Sequence, residues 1–576
     1  MTLDVATSVI EDKIAEILAA SPVAGLSLVI VDEKDILYSE GFGLANIEGE
    51  NPFTDKTLVQ IGSVSKSFTA TSVGLIVQEG HFGWDDSVQE IYPRFRVSDK
   101  AVGSRITFRD LLSHRTGLPR HDFLWYKGHF QMEEFFNQLP HLRFAVDLRQ
   151  KFLYNNLMYD TCAKIVSDVS GLSFAQFHKE KIFSPLGMNE SHRDLVVDHK
   201  IDSYATPYLV REDKPVKTKY FVQEYPSGAG GVVSNALEMG NWLVMNLSGG
   251  LLNEEQLFPS EVIREIQKPQ ILVGEVGLSS FVPELNHSLM PGYALGWGTE
   301  VYRGNRFVQH GGYIDGFASI AGFLPDQKLG IGIFANTDCN LLINGLMLWI
   351  IDSILKLDPV DWVEQALSRS TKAWQANDAS KETLLNNRVK GTSPTFSLTD
   401  YCGCFHNPAY GTFEVRLVDQ SLEATLGRFV SKLEHYHYNT FLFSVEHINY
   451  HELLHFVVNR RAQVEKLELT LDNELSPEVF VKQPDKKFST SDYLDQFCGV
   501  YDYLGKPLEI KRTKGKLVAY TTVGTQISLV PVSEDLFEHE QVKAVKYSFK
   551  RDSGGIVIQL IIEALGGVVI AEKTEN

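Results

Sequence analysis

The chain has 576 residues, 44 % apolar and 11 % aromatic, with a formal net charge of −19. That length exceeds what one hydrophobic core holds and predicts two to four domains, and the apolar content excludes a disordered chain. The acidic balance argues against nucleic acid or an anionic membrane surface as the main partner, and no run of about 18 apolar residues suggests a membrane-spanning helix.

After Met1-Thr-Leu-Asp-Val5 comes an acidic amphipathic helix ending near Ala20. A basic segment and a small-residue cleavage site are both missing there, so the expectation is a cytoplasmic protein. Gly25 to Val31 reads as a strand. Next, Ile61-Gly62-Ser63-Val64-Ser65-Lys66-Ser67-Phe68 sets a serine three residues before a lysine where a helix begins. From Ser65 to Glu79 there is no proline and one glycine, Gly74, and Gly80 is the predicted stop. Residues i and i+3 share a helical face, so the Lys66 amine can reach the Ser63 hydroxyl. Free N–H groups and the positive end of the helix dipole favour a developing oxyanion at that point. An amine that accepts a proton is one way to activate a hydroxyl nucleophile. The spacing alone says little, since about two or three copies arise by chance in a chain this long. Ser353-Ile354-Leu355-Lys356, in an apolar helical run, is an internal control.

Further on, Phe152-Leu153-Tyr154-Asn155-Asn156-Leu157-Met158-Tyr159 puts Tyr154 and Asn156 two apart, so an extended chain points both to one side. A phenol beside a lysine ammonium can be held as phenolate and accept a proton. The Asn156 amide can bind both a lysine and a substrate carbonyl. The plainer reading is a polar loop before a helix from Met158 to Val169, capped by Asn155 or Asn156. Val308-Gln309-His310-Gly311-Gly312-Tyr313 is the third candidate, and its glycines would let a substrate backbone approach an edge strand. His81-Phe82-Gly83 has similar spacing but falls where the Ser63 helix ends.

In this order, Ser-x-x-Lys, Tyr-x-Asn and His-Gly-Gly resemble the signature of serine β-lactamase-like, penicillin-recognising hydrolases. Ile106-Thr-Phe-Arg-Asp-Leu-Leu-Ser-His-Arg-Thr-Gly-Leu-Pro119, Ile182 to Met188 and Gly228 to Ser234 resemble that family's non-catalytic hallmarks. The resemblance covers about residues 5–355. It implies an α/β (α+β) β-lactamase/transpeptidase-like fold, an antiparallel sheet flanked by helices. Ser63 would be the acylated nucleophile, with Lys66 and Tyr154 as the proton-transfer pair and His310 in the catalytic set. Asn156 would hold Lys66 and the substrate amide. The oxyanion hole would be the N–H groups of Ser63 and Tyr313, beside Gly311 and Gly312. Neither metal nor cofactor is implied. Many relatives carry Lys-Thr-Gly at the third motif, and His310 is mostly neutral above pH ~6.5, so a permanent carboxylate anchor is lost. That pattern resembles the aminopeptidase, amidase and esterase branches, including D-stereospecific aminopeptidases.

The predicted domains are residues 1–375, a polar helical linker at 376–396, and two small antiparallel β-barrels of lipocalin-like type at 397–485 and 490–576. The barrels follow from short alternating strands and an internal repeat. Tyr401-Cys402-Gly403-Cys404-Phe405 matches Phe497-Cys498-Gly499-Val500-Tyr501, and Phe413-Glu-Val matches Leu508-Glu-Ile. Five cysteines at no zinc-like spacing read as reduced thiols, with Cys402 and Cys498 structural. A catalytic domain with two barrels resembles three-domain D-aminopeptidases, where a loop from an appended domain restricts the site to small substrates with a free amino end. His435-Tyr-His-Tyr-Asn439 is a candidate for that loop, against the simpler reading of a barrel wall.

The expected function is a serine hydrolase that forms an acyl-enzyme on Ser63: a peptidase, aminopeptidase or amidase on small or D-configured peptides. An esterase or acyltransferase on the same machinery, and a binding or scaffold protein with a vestigial first domain, are the alternatives. The expected partner is a small peptide, amide or ester, with no nucleic acid and no membrane. Homo-oligomerisation is left open.

Overall fold

The segment Gly-Leu-Ser-Leu-Val-Ile-Val at Gly25–Val31 (β1) is buried along its whole length. The computed structural model explains why: β1 lies inside a nine-stranded sheet, with neighbours covering both edges and helices covering both faces. The structure describes residues 7–126, 131–193, 203–223, 225, 227–274 and 288–574, and of residues 288, 373–380 and 447 it describes the backbone only. By internal contacts the chain divides into two units, Met1–Asn387 with Leu471–Ser476, and Arg388–Thr470 with Pro477–Asn576.

In the first unit the remaining strands of this sheet are β2 (Ile36–Asn46), β3 (Asn51–Pro52), β4 (Ile271–Leu272), β5 (Ser288–Tyr293), β6 (Gly298–Tyr302), β7 (Asn305–Ile314), β8 (Phe317–Leu324) and β9 (Leu329–Ala335). Their order across the sheet is β4-β5-β6-β7-β8-β9-β1-β2-β3. The first strand of the chain thus pairs antiparallel with the last, Leu26 opposite Ala335 and Ile30 opposite Ile331. The expected antiparallel sheet flanked by helices is present.

Helix α1 (Thr7–Ala20) repeats isoleucine at 10, 14 and 17, which makes one apolar stripe. That stripe packs on Leu26, Leu28 and Ile30 of β1 and on Ile331 and Ile333 of β9, in one core with the helix Asn340–Leu355. On the opposite face lies the helix Ala236–Leu247, where a Cβ on Gly240 would fall 2.7 Å from Ile36 Cδ1 and 3.0 Å from Val29 Cγ2. Helix α2 (Ser65–Gln78) is buried on nearly every side. Phe68 stacks on Trp242 at 3.8 Å between ring centres. Its hydroxyls turn back on the helix, Ser67 to Val64 O, Thr71 to Ser67 O and Ser72 to Phe68 O. Those bonds satisfy polar groups that would otherwise be costly to bury.

The stretch read as a linker begins inside this unit. The helix Trp362–Asn386 sends Trp362, Val363 and Ala366 into the core, and Trp362 Nε1 donates to Asp352 Oδ2 at 2.7 Å.

The second unit contains the two repeats. The second repeat is a closed barrel of eight antiparallel strands from Gly499–Tyr503 to Gly567–Lys573. The first is a nine-stranded antiparallel sheet whose end strands, Phe429–Lys432 and Glu434–His437, are not laddered to each other. Equivalent residues do equivalent work in both. Cys402 Sγ and Cys498 Sγ each face the carbonyl four residues back, of Leu398 and Leu494. Gly403 and Gly499 take φ of +139° and +147° beside Lys482 and Lys573, whose ammonium groups lie over the Phe405 and Tyr501 rings. All five cysteines are free thiols.

Candidate active site

The nucleophile candidate is set by a short turn. Gly62 takes φ +50°, which a side chain disfavours, and opens a 3-10 turn at Gly62–Val64 that runs into α2. A Cβ on Gly62 would lie 2.7 Å from the backbone nitrogen of Tyr313, and one on Gly312 would lie 2.0 Å from Ile61 O. Both glycines therefore let β7 press against the turn that carries Ser63. Ser319 Oγ, on β8, holds Ile61 O at 2.6 Å. The sequence reading placed Gly311 and Gly312 on an edge strand. Instead β7 is interior, between β6 and β8, and Gly312 serves protein packing, while Gly311 is open.

Tyr154 and Asn156 arrive from a different part of the chain. Asn155 caps the helix Asn156–Ser170 (α3), its Oδ1 accepting from Met158 N. The chain before the cap is extended, and Tyr154 and Asn156 point to one side as expected. His114 clamps this stretch: its carbonyl accepts from Leu153 N at 2.8 Å and its Nδ1 from Asn155 N at 3.0 Å. The cap and the juxtaposition coexist in this stretch: Asn155 caps the helix while Tyr154 faces Ser63 and Asn156 faces Lys66.

The result is one cluster. Lys66 Nζ lies 3.0 Å from Ser63 Oγ, 2.7 Å from Asn156 Oδ1 and 3.0 Å from Ala229 O. Tyr154 hydroxyl lies 2.8 Å from Ser63 Oγ. The Lys66 amine also sits over the rings of Tyr154 and Tyr159, at 4.7 and 5.4 Å.

Electrostatics here depart from the sequence expectation of an ammonium beside a phenolate. Lys66 is 0 % exposed. Burial drives its pKa well below the ordinary lysine range, opposed by Asp160 and reinforced by Arg120. Burial pushes Tyr154 up to about 12, against the Ser63 hydrogen bond and the Arg120 charge. Desolvation thus favours a neutral amine and a neutral phenol over the charged pair. A neutral amine has two N–H donors and one lone pair. The Asn156 and Ala229 oxygens take the donors, which leaves the lone pair for the Ser63 proton.

His310 is brought near this cluster but not into it. Its Nδ1 bonds Gly311 O at 2.6 Å and so carries the proton, and its Nε2 accepts from the Tyr293 hydroxyl at 2.9 Å. Burial pushes its pKa down to about 3. It is neutral, more firmly than its ordinary pKa implies. Tyr313 is 46 % exposed, with its backbone against Gly62.

Asp160, one helical turn after Asn156, escaped the sequence reading. It accepts from Ser227 Oγ at 2.8 Å, Ala229 N at 3.1 Å and Tyr225 hydroxyl at 3.1 Å. It thereby fixes the loop whose Ala229 carbonyl faces Lys66, and burial raises its own pKa to about 6. The i, i+4 spacing from Asn156 was the available signal.

The Beta-lactamase family model matches residues 10–341, more than half of the chain. The chain belongs to the beta-lactamase family. A second model, a domain of unknown function, matches residues 387–484, the first of the two repeats. Among curated relatives, this beta-lactamase family member is 28 % identical over 445 residues to the unguisins hydrolase ungD of Aspergillus violaceofuscus, covering 72 % of this chain and 78 % of that one. It is 26 % identical over 361 residues to penicillin-binding protein 4* of Bacillus subtilis, covering 59 % and 74 %. The fold is similar to the structure of an octameric penicillin-binding protein homologue from Pyrococcus abyssi, with a TM-score of 0.53 and 21 % identity, covering 83 % of this chain and all of that one.

The segment Leu471–Ser476 was also missed. It groups with the first unit, where Asp472 Oδ2 accepts from His121 N at 3.1 Å, Glu474 binds Lys151 Nζ at 2.7 Å and Ser476 Oγ accepts from Arg143 at 2.7 Å. His435–Asn439 falls in the strand Glu434–His437 and its turn, which fits the simpler reading of a wall. No helix among the described residues is long and apolar enough to cross a membrane.

Proposed function

We propose that this protein is an acyl-enzyme serine hydrolase that cleaves amide bonds of small peptides. The observation that carries the reading is Ser63 Oγ held between Lys66 Nζ and Tyr154 hydroxyl at 3.0 and 2.8 Å. Neutral Lys66 takes the Ser63 proton as Oγ attacks the carbonyl carbon, and the backbone N–H groups of Ser63 and Tyr313 receive the oxyanion. Tyr154, protonated at neutral pH, hands its proton to the leaving nitrogen and recovers one from Lys66. Water then repeats the sequence in reverse on the ester of Ser63. Asn156 keeps Lys66 in line and offers its amide N–H to the substrate.

The names of relatives, a hydrolase and a penicillin-binding protein, fit acyl transfer to serine. Neutral His310 offers no cation for a carboxylate at the third motif, which favours peptides and amides over penicillins. The segment Leu471–Ser476 favours a restricted cleft, and shortening it should widen the range of accepted substrates.

The test is a panel of D- and L-aminoacyl p-nitroanilides, p-nitrophenyl esters and penicillins. Amide turnover that depends on Ser63 and exceeds penicillin turnover supports the reading. Penicillins as the best substrates, or ester turnover without amide turnover, would overturn it.

A further inference from the structure

Arg120 is a charged group beside this cluster that the reaction above does not use. Its Cζ lies 5.1 Å from the centre of the Tyr154 ring, so one ring separates the guanidinium from the hydroxyl on Ser63. Nε donates to Asp122 Oδ2 at 2.6 Å, while Asp122 Oδ1 accepts from Trp125 Nε1 at 2.8 Å. Among the described residues, neither Nη1 nor Nη2 makes a hydrogen bond, and the side chain is half-exposed. The pairing with Asp122 and the aromatic face below it hold the guanidinium in place. The other carboxylate whose charge reaches Arg120, Asp472, is occupied by the His121 amide.

Four N–H donors on two adjacent nitrogens, held in a plane and open to solvent, match the two oxygens of a carboxylate. Lys66 is spent on proton transfer and His310 is neutral, so Arg120 brings a fixed positive charge to the Tyr154 side of this cleft. We propose that Arg120 is a carboxylate-binding subsite, and that the preferred substrates carry a carboxylate within one tyrosine width of the scissile carbonyl. The inference rests on the serine hydrolase reading and names its substrate class. It moves the anchor for negative charge from the third motif, where relatives keep a lysine, to the loop before the Asp122–Leu124 turn.

Matched ester pairs test it on the full-length protein. p-Nitrophenyl hemisuccinate against p-nitrophenyl butyrate probes a carboxylate on the acyl side. The acetate ester of 4-hydroxybenzoate against phenyl acetate probes one on the leaving group. The readout is the charged-to-neutral ratio of kcat/KM, which cancels any effect of Arg120 on Tyr154 or Lys66. In at least one pair, Arg120→Ala should lower that ratio about 10- to 100-fold, the range of a charge-assisted pair, chiefly through KM. Arg120→Lys should restore part of it, and Asp122→Asn, which keeps an oxygen acceptor for Nε but removes the competing negative charge, should raise it. Added salt should erode the ratio in the wild type and leave Arg120→Ala unmoved. Ratios unchanged by all three substitutions in both pairs, with Ser63-dependent turnover intact, would overturn the subsite alone. Turnover that survives Ser63→Ala would instead overturn the hydrolase reading beneath it.

Discussion

Ser63 and Ser353 each stand three residues before a lysine, one where a helix begins and the other where a helix ends. At the beginning, backbone N–H groups are free and the dipole is positive. Ser63 there meets Lys66 and Tyr154, and β7 brings the Tyr313 amide against the turn. At the end, carbonyls are the unpaired groups. Ser353 Oγ donates back to Trp349 O at 2.8 Å, and Lys356 is the C-cap at φ +55°, on the surface. Identical spacing sets a serine against an amine and a phenol in one place and at a satisfied helix terminus in the other. What separates them is which end of the helix they occupy and what the rest of the chain brings there.

The comparison can be broken most forcefully at the first serine. Ser63→Ala should lower kcat by on the order of 10³-fold or more while the circular dichroism and melting temperature stay close to wild type. Comparable turnover by a folded Ser63→Ala protein would remove the distinction. Next come the partners that only the first copy has. Lys66→Ala and Tyr154→Phe should each cost about 10²- to 10⁴-fold, and the double variant should cost far less than the product. Multiplicative losses in single-turnover acylation would show that the two groups serve separate events.

A subtler effect is expected in the pH profile. The amine must be unprotonated to accept the Ser63 proton, so kcat/KM should fall as pH drops through the Lys66 pKa. Asp160 raises that pKa by its charge, so Asp160→Asn should move the acid limb to lower pH. A limb that stays put or moves upward would mean another group titrates. No alkaline limb is expected below about pH 10, because Tyr154 titrates at about 12. The smallest effect belongs to the control: Ser353→Ala should change kcat/KM by less than about twofold, losing one helical back-bond.

Much of this was legible in the sequence because it is local. The start of α2 at Ser65, the cap at Asn155 and the repeat around Cys402 and Cys498 are written in neighbouring residues. So is the three-motif order, which leads to the fold and to Ser63, Lys66, Tyr154 and Asn156. The contacts that complete the cluster are not local. Ser319 reaches Ile61 across 258 positions and Ala229 reaches Lys66 across 163, and no periodicity announces either. The neutral state of Lys66 and Tyr154 depends on burial, which residue types do not reveal. Residue types alone suggest a phenolate beside an ammonium, and burial disfavours both charged forms. The placement of Leu471–Ser476 with the first unit is likewise a matter of tertiary structure, since nothing in Leu-Asp-Asn-Glu-Leu-Ser marks it.

Covalent labelling tests the central claim most directly. The full-length protein would be treated with a fluorophosphonate probe, digested, and the modified residue located by mass spectrometry. One adduct on the peptide that contains Ser63 is predicted, absent from Ser63→Ala, strongly slowed in Lys66→Ala, and unchanged in Ser353→Ala. An adduct on Ser353 or on any other serine, with Ser63 unmodified, would contradict it.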